Sequence, residues 1–92
     1  MASRTISVGS KSGLHARPAA LFVAAAAAQT VKVTIGTADK APVPAASILS
    51  VLALGAKYGT EVTLRAEGDG ADAVLDALAD LVARDLDDEP DA

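Results

Sequence analysis

Ninety-two residues are enough for one compact domain and too few for two. With 51% hydrophobic residues and no cysteine, the chain can build a core unaided, and disulfide frameworks, thiol redox chemistry and Cys-ligated metal sites are excluded. One histidine, two aromatics (Phe22 and Tyr58) and a net charge of −4 further exclude a His-cluster metal site and argue against a nucleic-acid partner, which needs base-stacking platforms and positive charge.

Taken in chain order, Thr5–Val8 reads as a short strand after a charged start, ended by Gly9, and Ser10–Gly13 reads as a loop. From about Ala16 to Ala28 the alanines favour a helix, with Pro18 suited to its first turn and Leu21, Phe22 and the Ala25/Ala26 region as the inward stripe. Val31–Ile35 alternates as a half-buried strand ended by Gly36, and Thr37–Lys40 is a turn. Pro42 and Pro44 lack ladder donors, so Ala41–Pro44 is at best an edge strand. Ser47–Leu54 reads as a short helix stopped by Gly55, and Glu61–Ala66 as a strand with Val62 and Leu64 on one face. The last helix is expected from near Asp69–Gly70 to about Leu86. Its stripe is Val74, Leu75, Leu78, Leu81 and Val82, with Asp72, Asp76 and Asp80 on the opposite face. Asp69 and Asp72 sit where the helix dipole favours acids. Asp87–Ala92 is expected to fray.

The order is therefore β-α-β-β-α-β-α, and one sheet covered on one face by helices is the economical packing for an α+β domain. Residues 1–88 are read as a single domain and 89–92 as a short acidic tail. The longest apolar run, Ala19–Ala28, is about half a membrane span and a poor signal peptide, so the expectation is a cytoplasmic protein that does not enter a membrane. Charge is unevenly spread: residues 1–60 carry +5 and residues 61–92 carry −9. The acidic half reads as a solvated helix and tail, or the basic half as a face for an acidic partner.

The chemistry gathers at Gly13-Leu14-His15-Ala16-Arg17-Pro18-Ala19. A helix start normally recruits Ser, Thr, Asp or Asn as its cap, and here the boundary holds His15 with Arg17 two residues on. A helix N-terminus is a ready anion site, and imidazole is a nucleophile that titrates near neutrality. A phosphoryl group on the ring would meet the amides of Ala16 and Arg17 and the Arg17 guanidinium. Spacing alone leaves open a plain surface histidine at a loop–helix junction. An enzyme using His15 as general base lacks a completing carboxylate, Ser or Lys nearby in the chain, although Lys57 or Glu61 could reach it through the fold.

This seven-residue run resembles the active-site signature of the histidine-containing phosphocarrier (HPr) family of the phosphoenolpyruvate-dependent sugar phosphotransferase system, and length and element order agree with that family along nearly the whole chain. The resemblance implies an open-faced β-sandwich: a four-stranded antiparallel sheet of order 1-4-2-3 with three helices on one side. It implies that His15 is phosphorylated on Nδ1, that Arg17 neutralises and positions the group, that Ser12 is the small polar neighbour of the site, and that Pro18 fixes the first helical turn. The implied partners are enzyme I as donor and IIA domains of sugar permeases as acceptors, with no cofactor and no turnover of its own, so the chain would be a carrier rather than an enzyme. Two sequential partners are most simply served by a monomer. An HPr-like paralogue that regulates through partner binding, as in a nitrogen-related branch, would have the same residues.

Ser47-Ile48-Leu49-Ser50-Val51-Leu52 resembles the family's second signature, in which Ser47 aligns with a regulatory phosphoserine. Ala46 stands where a basic residue is usual, and Ser47 as a helix N-cap is sufficient explanation. Ile48, Leu49, Val51, Leu52 and Leu54 are apolar nearly all round the helix. Either that helix sinks into the core, or Leu49 is simply left exposed, or it presents an apolar docking patch. The resemblance places the partner surface there, at Ala16, Arg17, Ala20, Ile48, Leu49 and Leu52.

Overall fold

The computed structural model describes residues 2–84 apart from Ser12 and His15, and of Ala16 the backbone only. The elements are β1 (Ala2–Ser7), α1 (Ala16–Ala27), β2 (Val33–Gly36), β3 (Val43–Pro44), α2 (Ile48–Leu54), β4 (Glu61–Ala66) and α3 (Ala71–Ala83). The four strands form one antiparallel sheet in the order β1-β4-β2-β3, with the three helices on one face. The expected architecture is therefore present.

The central strand β4 shows how the sheet acquires two unlike faces. Val62, Leu64 and Ala66 are buried, while Glu61 and Arg65 are exposed, the period of two that a pleated strand imposes. Leu64 lies opposite both Arg4 and Ile35, and Val62 opposite Ile6, so the helix-facing layer is continuous across the sheet. On the other face Thr5 and Thr63 stand in register with their hydroxyls 3.1 Å apart, beside Ser3, Ser7, Glu61 and Arg65. Polar residues in every second position leave that face able to meet water, which is what opens the sandwich. β3 is the expected edge: two residues paired to β2, after which the Ala45 N–H bonds to the Val33 carbonyl at 3.0 Å.

Several expectations need correction. β1 begins at Ala2, three residues before Thr5, and ends at Ser7; β2 begins at Val33. The charged start of β1 can face the helices because Arg4 is bonded by two α3 carboxylates, Asp76 at 2.9 Å and Asp72 at 3.2 Å. Asp72 and Asp76 therefore do not simply line a solvated face, and Asp80 bonds Arg84 at 2.8 Å one turn on. The hydrogen bonds that Arg4 donates to Asp76 and then to Asp72 raise its pKa above the ordinary value. A base whose pKa rises on folding contributes stability that is complete below its unfolded pKa and falls away only as pH rises through the folded one, so the Arg4 side of this pairing does not change across the neutral range.

In α1 the buried stripe is Pro18, Ala19, Phe22 and Ala26, with Leu21 37% exposed instead of inward. Successive helical residues are about 100° apart, so Leu21 cannot share the centre of a stripe built on Phe22 and Ala26. α3 buries Ala71, Leu75, Leu78 and Val82, with Val74 and Leu81 flanking them half-buried. It stops at Ala83, before the expected Leu86, because Arg84 is already extended and the loop after β1 takes the last carbonyls of the helix. The expected tail, Asp87–Ala92, lies outside the described residues. Among those described, no helix is long and apolar enough to cross a membrane.

Candidate functional site

The segment between β1 and α1 is bonded to three separate parts of the fold. Val8 exchanges backbone hydrogen bonds with the 59–60 turn, its N–H to the Thr60 carbonyl and its carbonyl from the Gly59 N–H, both at 2.9 Å. The Gly9 N–H bonds to the Val82 carbonyl at 2.9 Å, and the buried Ser10 Oγ donates to the Arg84 carbonyl at 3.2 Å. The Gly13 N–H closes a turn onto the Ser10 carbonyl, and the Leu14 N–H reaches the Ala56 carbonyl, each at 2.9 Å. Leu14 then buries its side chain completely.

Gly13 is required twice over. Its φ is +74°, and a Cβ there would lie 2.5 Å from the Ala56 oxygen and 2.9 Å from the Lys57 Cα. Both obstacles are backbone and cannot rotate away. Gly13→Ala is therefore expected to cost about 1–3 kcal/mol of stability, from positive φ and the displaced loop; the midpoint of urea unfolding checks it.

Leu14 brings the chain to α1, whose backbone opens at Ala16 with no acidic residue in its first turn. The first N–H groups of a helix have no acceptor within it, which gives that end its affinity for anions. Pro18, buried in this turn, gives up no helical bond there. Arg17 is half-buried in the same turn. Lys11 and Lys57 are exposed on the two loops that meet at Gly13. His15, Ser12 and the Ala16 side chain lie outside the described residues.

The other predicted surface residues are placed by α2. Ser47 caps its start, accepting a hydrogen bond on Oγ from the Ser50 N–H at 3.3 Å. Gly55 (φ 65°) ends it, its N–H bonding the Leu52 carbonyl at 3.1 Å, and Lys40 Nζ donates to the Ala53 carbonyl at 2.9 Å. A seven-residue helix needs such help at both ends, since one this short is marginal alone. Val51 and Leu54 point into the core, Leu52 is half-buried, and Ile48 and Leu49 are 40% and 78% exposed. The helix is thus not sunk in the core. Ala20 is exposed on α1, which packs against α2.

Two exposed side chains here are not among the expected surface residues, Leu21 having been expected inward. Leu21 shares a helix face with Arg17 and Ala20, a spacing of i, i+3, i+4 that could have revealed it. Tyr58 is 65% exposed at the tip of the turn closed by the Thr60 N–H on the Lys57 carbonyl; no local signal distinguishes it from a buried aromatic.

A sequence model of the PTS HPr component phosphorylation site family matches residues 2–84. The chain belongs to the HPr family. Phosphocarrier protein HPr of Streptomyces coelicolor is 53% identical over 91 residues, 99% of this chain and 98% of that protein. HPr-like protein Crh of Bacillus subtilis is 40% identical over 86 residues, 94% of this chain and 100% of that protein. A crystal structure of HPr-C-His from Thermoanaerobacter tengcongensis superposes with a TM-score of 0.88 at 39% identity, covering 98% of this chain and 100% of that one. A phosphocarrier role in the phosphotransferase system follows from HPr-family membership. In this HPr chain the loop anchored at Val8–Leu14 leads to a helix N-terminus free of acids, beside an exposed apolar helix.

Proposed function

We propose that His15 carries the phosphoryl group, taking it from enzyme I and passing it to IIA domains of sugar permeases in the cytoplasm, and that residues 1–88 act as one monomeric carrier domain with 89–92 as its tail. In the accepting step the Nδ1 lone pair attacks phosphorus, a P–N bond forms, and the donor's bond to phosphorus breaks with its electron pair returning to the donor. Onward transfer reverses this, the pair going back to Nδ1. Within this chain no group other than His15 needs to change its bonding. The amides at the start of α1 and the Arg17 guanidinium, with Ser12 as polar neighbour, balance the phosphoryl charge without a cofactor. The observation that carries the reading is the Gly13–Ala19 motif standing at the acid-free start of α1 in a chain of this family.

The test is intact mass after incubation with enzyme I and phosphoenolpyruvate. One added phosphoryl group, lost on acid treatment, is expected; no added mass with enzyme I from several sources would overturn the carrier reading. A regulatory role through partner binding would then lead, a reading favoured by the 41% identity to a solution structure of Crh, the Bacillus subtilis Catabolite Repression HPr.

Arg17→Ala is expected to slow phosphoryl transfer by about one to two orders of magnitude, the worth of one charge-assisted hydrogen bond. Rapid-quench kinetics read this directly, and a parental rate would remove Arg17 from the mechanism. Ile48, Leu49 and Leu52 with Ala16, Arg17 and Ala20 form the docking surface in this reading. Leu49→Asp is expected to raise KM toward a IIA domain by about tenfold or more, as loss of an interface anchor does. Because Leu49 is 78% exposed, the unfolding midpoint should stay within about 0.5 kcal/mol.

A further inference from the structure

Among the described residues Ser10 is the only polar side chain that is buried, at 1% exposure. Its hydroxyl spans 74 residues of sequence to reach the Arg84 carbonyl at 3.2 Å, and its own carbonyl accepts the Gly13 N–H at 2.9 Å. Ser10 therefore both opens the 10–13 turn and ties that turn to the end of α3. Gly9 adds a second tie through the Val82 carbonyl, and a Cβ at Gly9 would collide with the Ala83 carbonyl. Filling this space does not itself require a hydroxyl: a buried polar group costs free energy unless bonded, and an apolar residue of similar size would fill it. The hydroxyl adds direction, because a hydrogen bond fixes orientation where an apolar contact does not.

We propose that Ser10 is a positioning residue for phosphoryl acceptance: its bond to the end of α3 sets where Gly13 and Leu14 deliver the chain to the start of α1. The proposal rests on the reading of His15 as the carrier. Transfer between two proteins requires the nucleophile, phosphorus and leaving group to be aligned, and small displacements of a reacting group are costly. Ile48, Leu49 and Leu52 of the docking surface make none of these bonds, so the larger effect belongs in kcat and the smaller in KM.

Ser10→Ala is to be compared with the parent and with Val74→Ala, a truncation in the first turn of α3, two turns before the Val82 carbonyl that the loop bonds, using enzyme I and phosphoenolpyruvate for the kinetics and amide hydrogen exchange for the loop. For Ser10→Ala, kcat is expected to fall about tenfold with KM within about twofold. The Gly13 and Leu14 amides should exchange faster, while Val74→Ala keeps the parental kcat and loop protection. A parental kcat in Ser10→Ala would overturn the proposal, as would an equal loss in Val74→Ala. If the parent itself accepts no phosphoryl group, the carrier reading fails and the proposal with it; a difference absent only from the variant defeats the proposal alone.

Discussion

His15→Ala is expected to gain no mass from enzyme I and phosphoenolpyruvate under conditions in which the parent gains one acid-labile phosphoryl group. The chain contains a single histidine, so no second imidazole can take over. The hydroxyl-bearing neighbours form phosphoesters, which survive the acid that hydrolyses a P–N bond, so any residual modification would betray itself by its stability. The loop should persist in the variant, because its bonds are made by Val8, Gly9, Ser10, Gly13 and Leu14. The unfolding free energy is accordingly expected to stay within about 0.5 kcal/mol of the parent. An acid-labile phosphate on the variant would refute the assignment of His15 outright, and a large loss of stability would make the missing mass uninformative about chemistry.

The largest effect on stability is expected from Phe22→Ala. Phe22 is the bulkiest of the fully buried side chains, and the core cluster it belongs to is built largely of alanine and valine, whose short side chains can fill little of the space it leaves. Truncating a buried phenylalanine costs about 3–5 kcal/mol, from a total of about 5–14 kcal/mol for a domain of this length. Urea denaturation should show the midpoint falling with little change of slope, and at the lower end of that range the variant is substantially unfolded at growth temperature. Phosphoryl acceptance should be lost with it, because Phe22 anchors α1, the helix at whose start we propose the phosphoryl group is held. Phe22→Leu, which keeps most of the volume, should restore both. If Phe22→Ala unfolds at the parental midpoint, the core does not rest on α1 as described.

The sequence by itself determined whatever depends on neighbours a few residues apart. The alternation of Glu61–Ala66 marks β4 and its two faces, the prolines at 42 and 44 confine β3 to an edge, and Ser47 and Gly55 bracket α2. Each signal is local because strand pleat, helix period and capping are set by backbone geometry over one or two turns. The Gly13–Ala19 motif was legible for the same reason: its chemistry is written in adjacent residues.

Only the tertiary structure decided which distant groups meet. Arg4 looks out of place in a half-buried strand until α3 brings Asp72 and Asp76 to it across 68 and 72 residues. Leu21 and Phe22 are equally apolar in sequence, and the position of the sheet, not their character, turns one inward and leaves the other outside. Ser10 reads as an ordinary loop serine, yet it is buried because β1 and α3 end side by side and the helix leaves carbonyls there to be bonded. In each case the free energy comes from satisfying a charge, a donor or an apolar surface with a partner that chain order cannot supply, and topology alone determines which partner arrives.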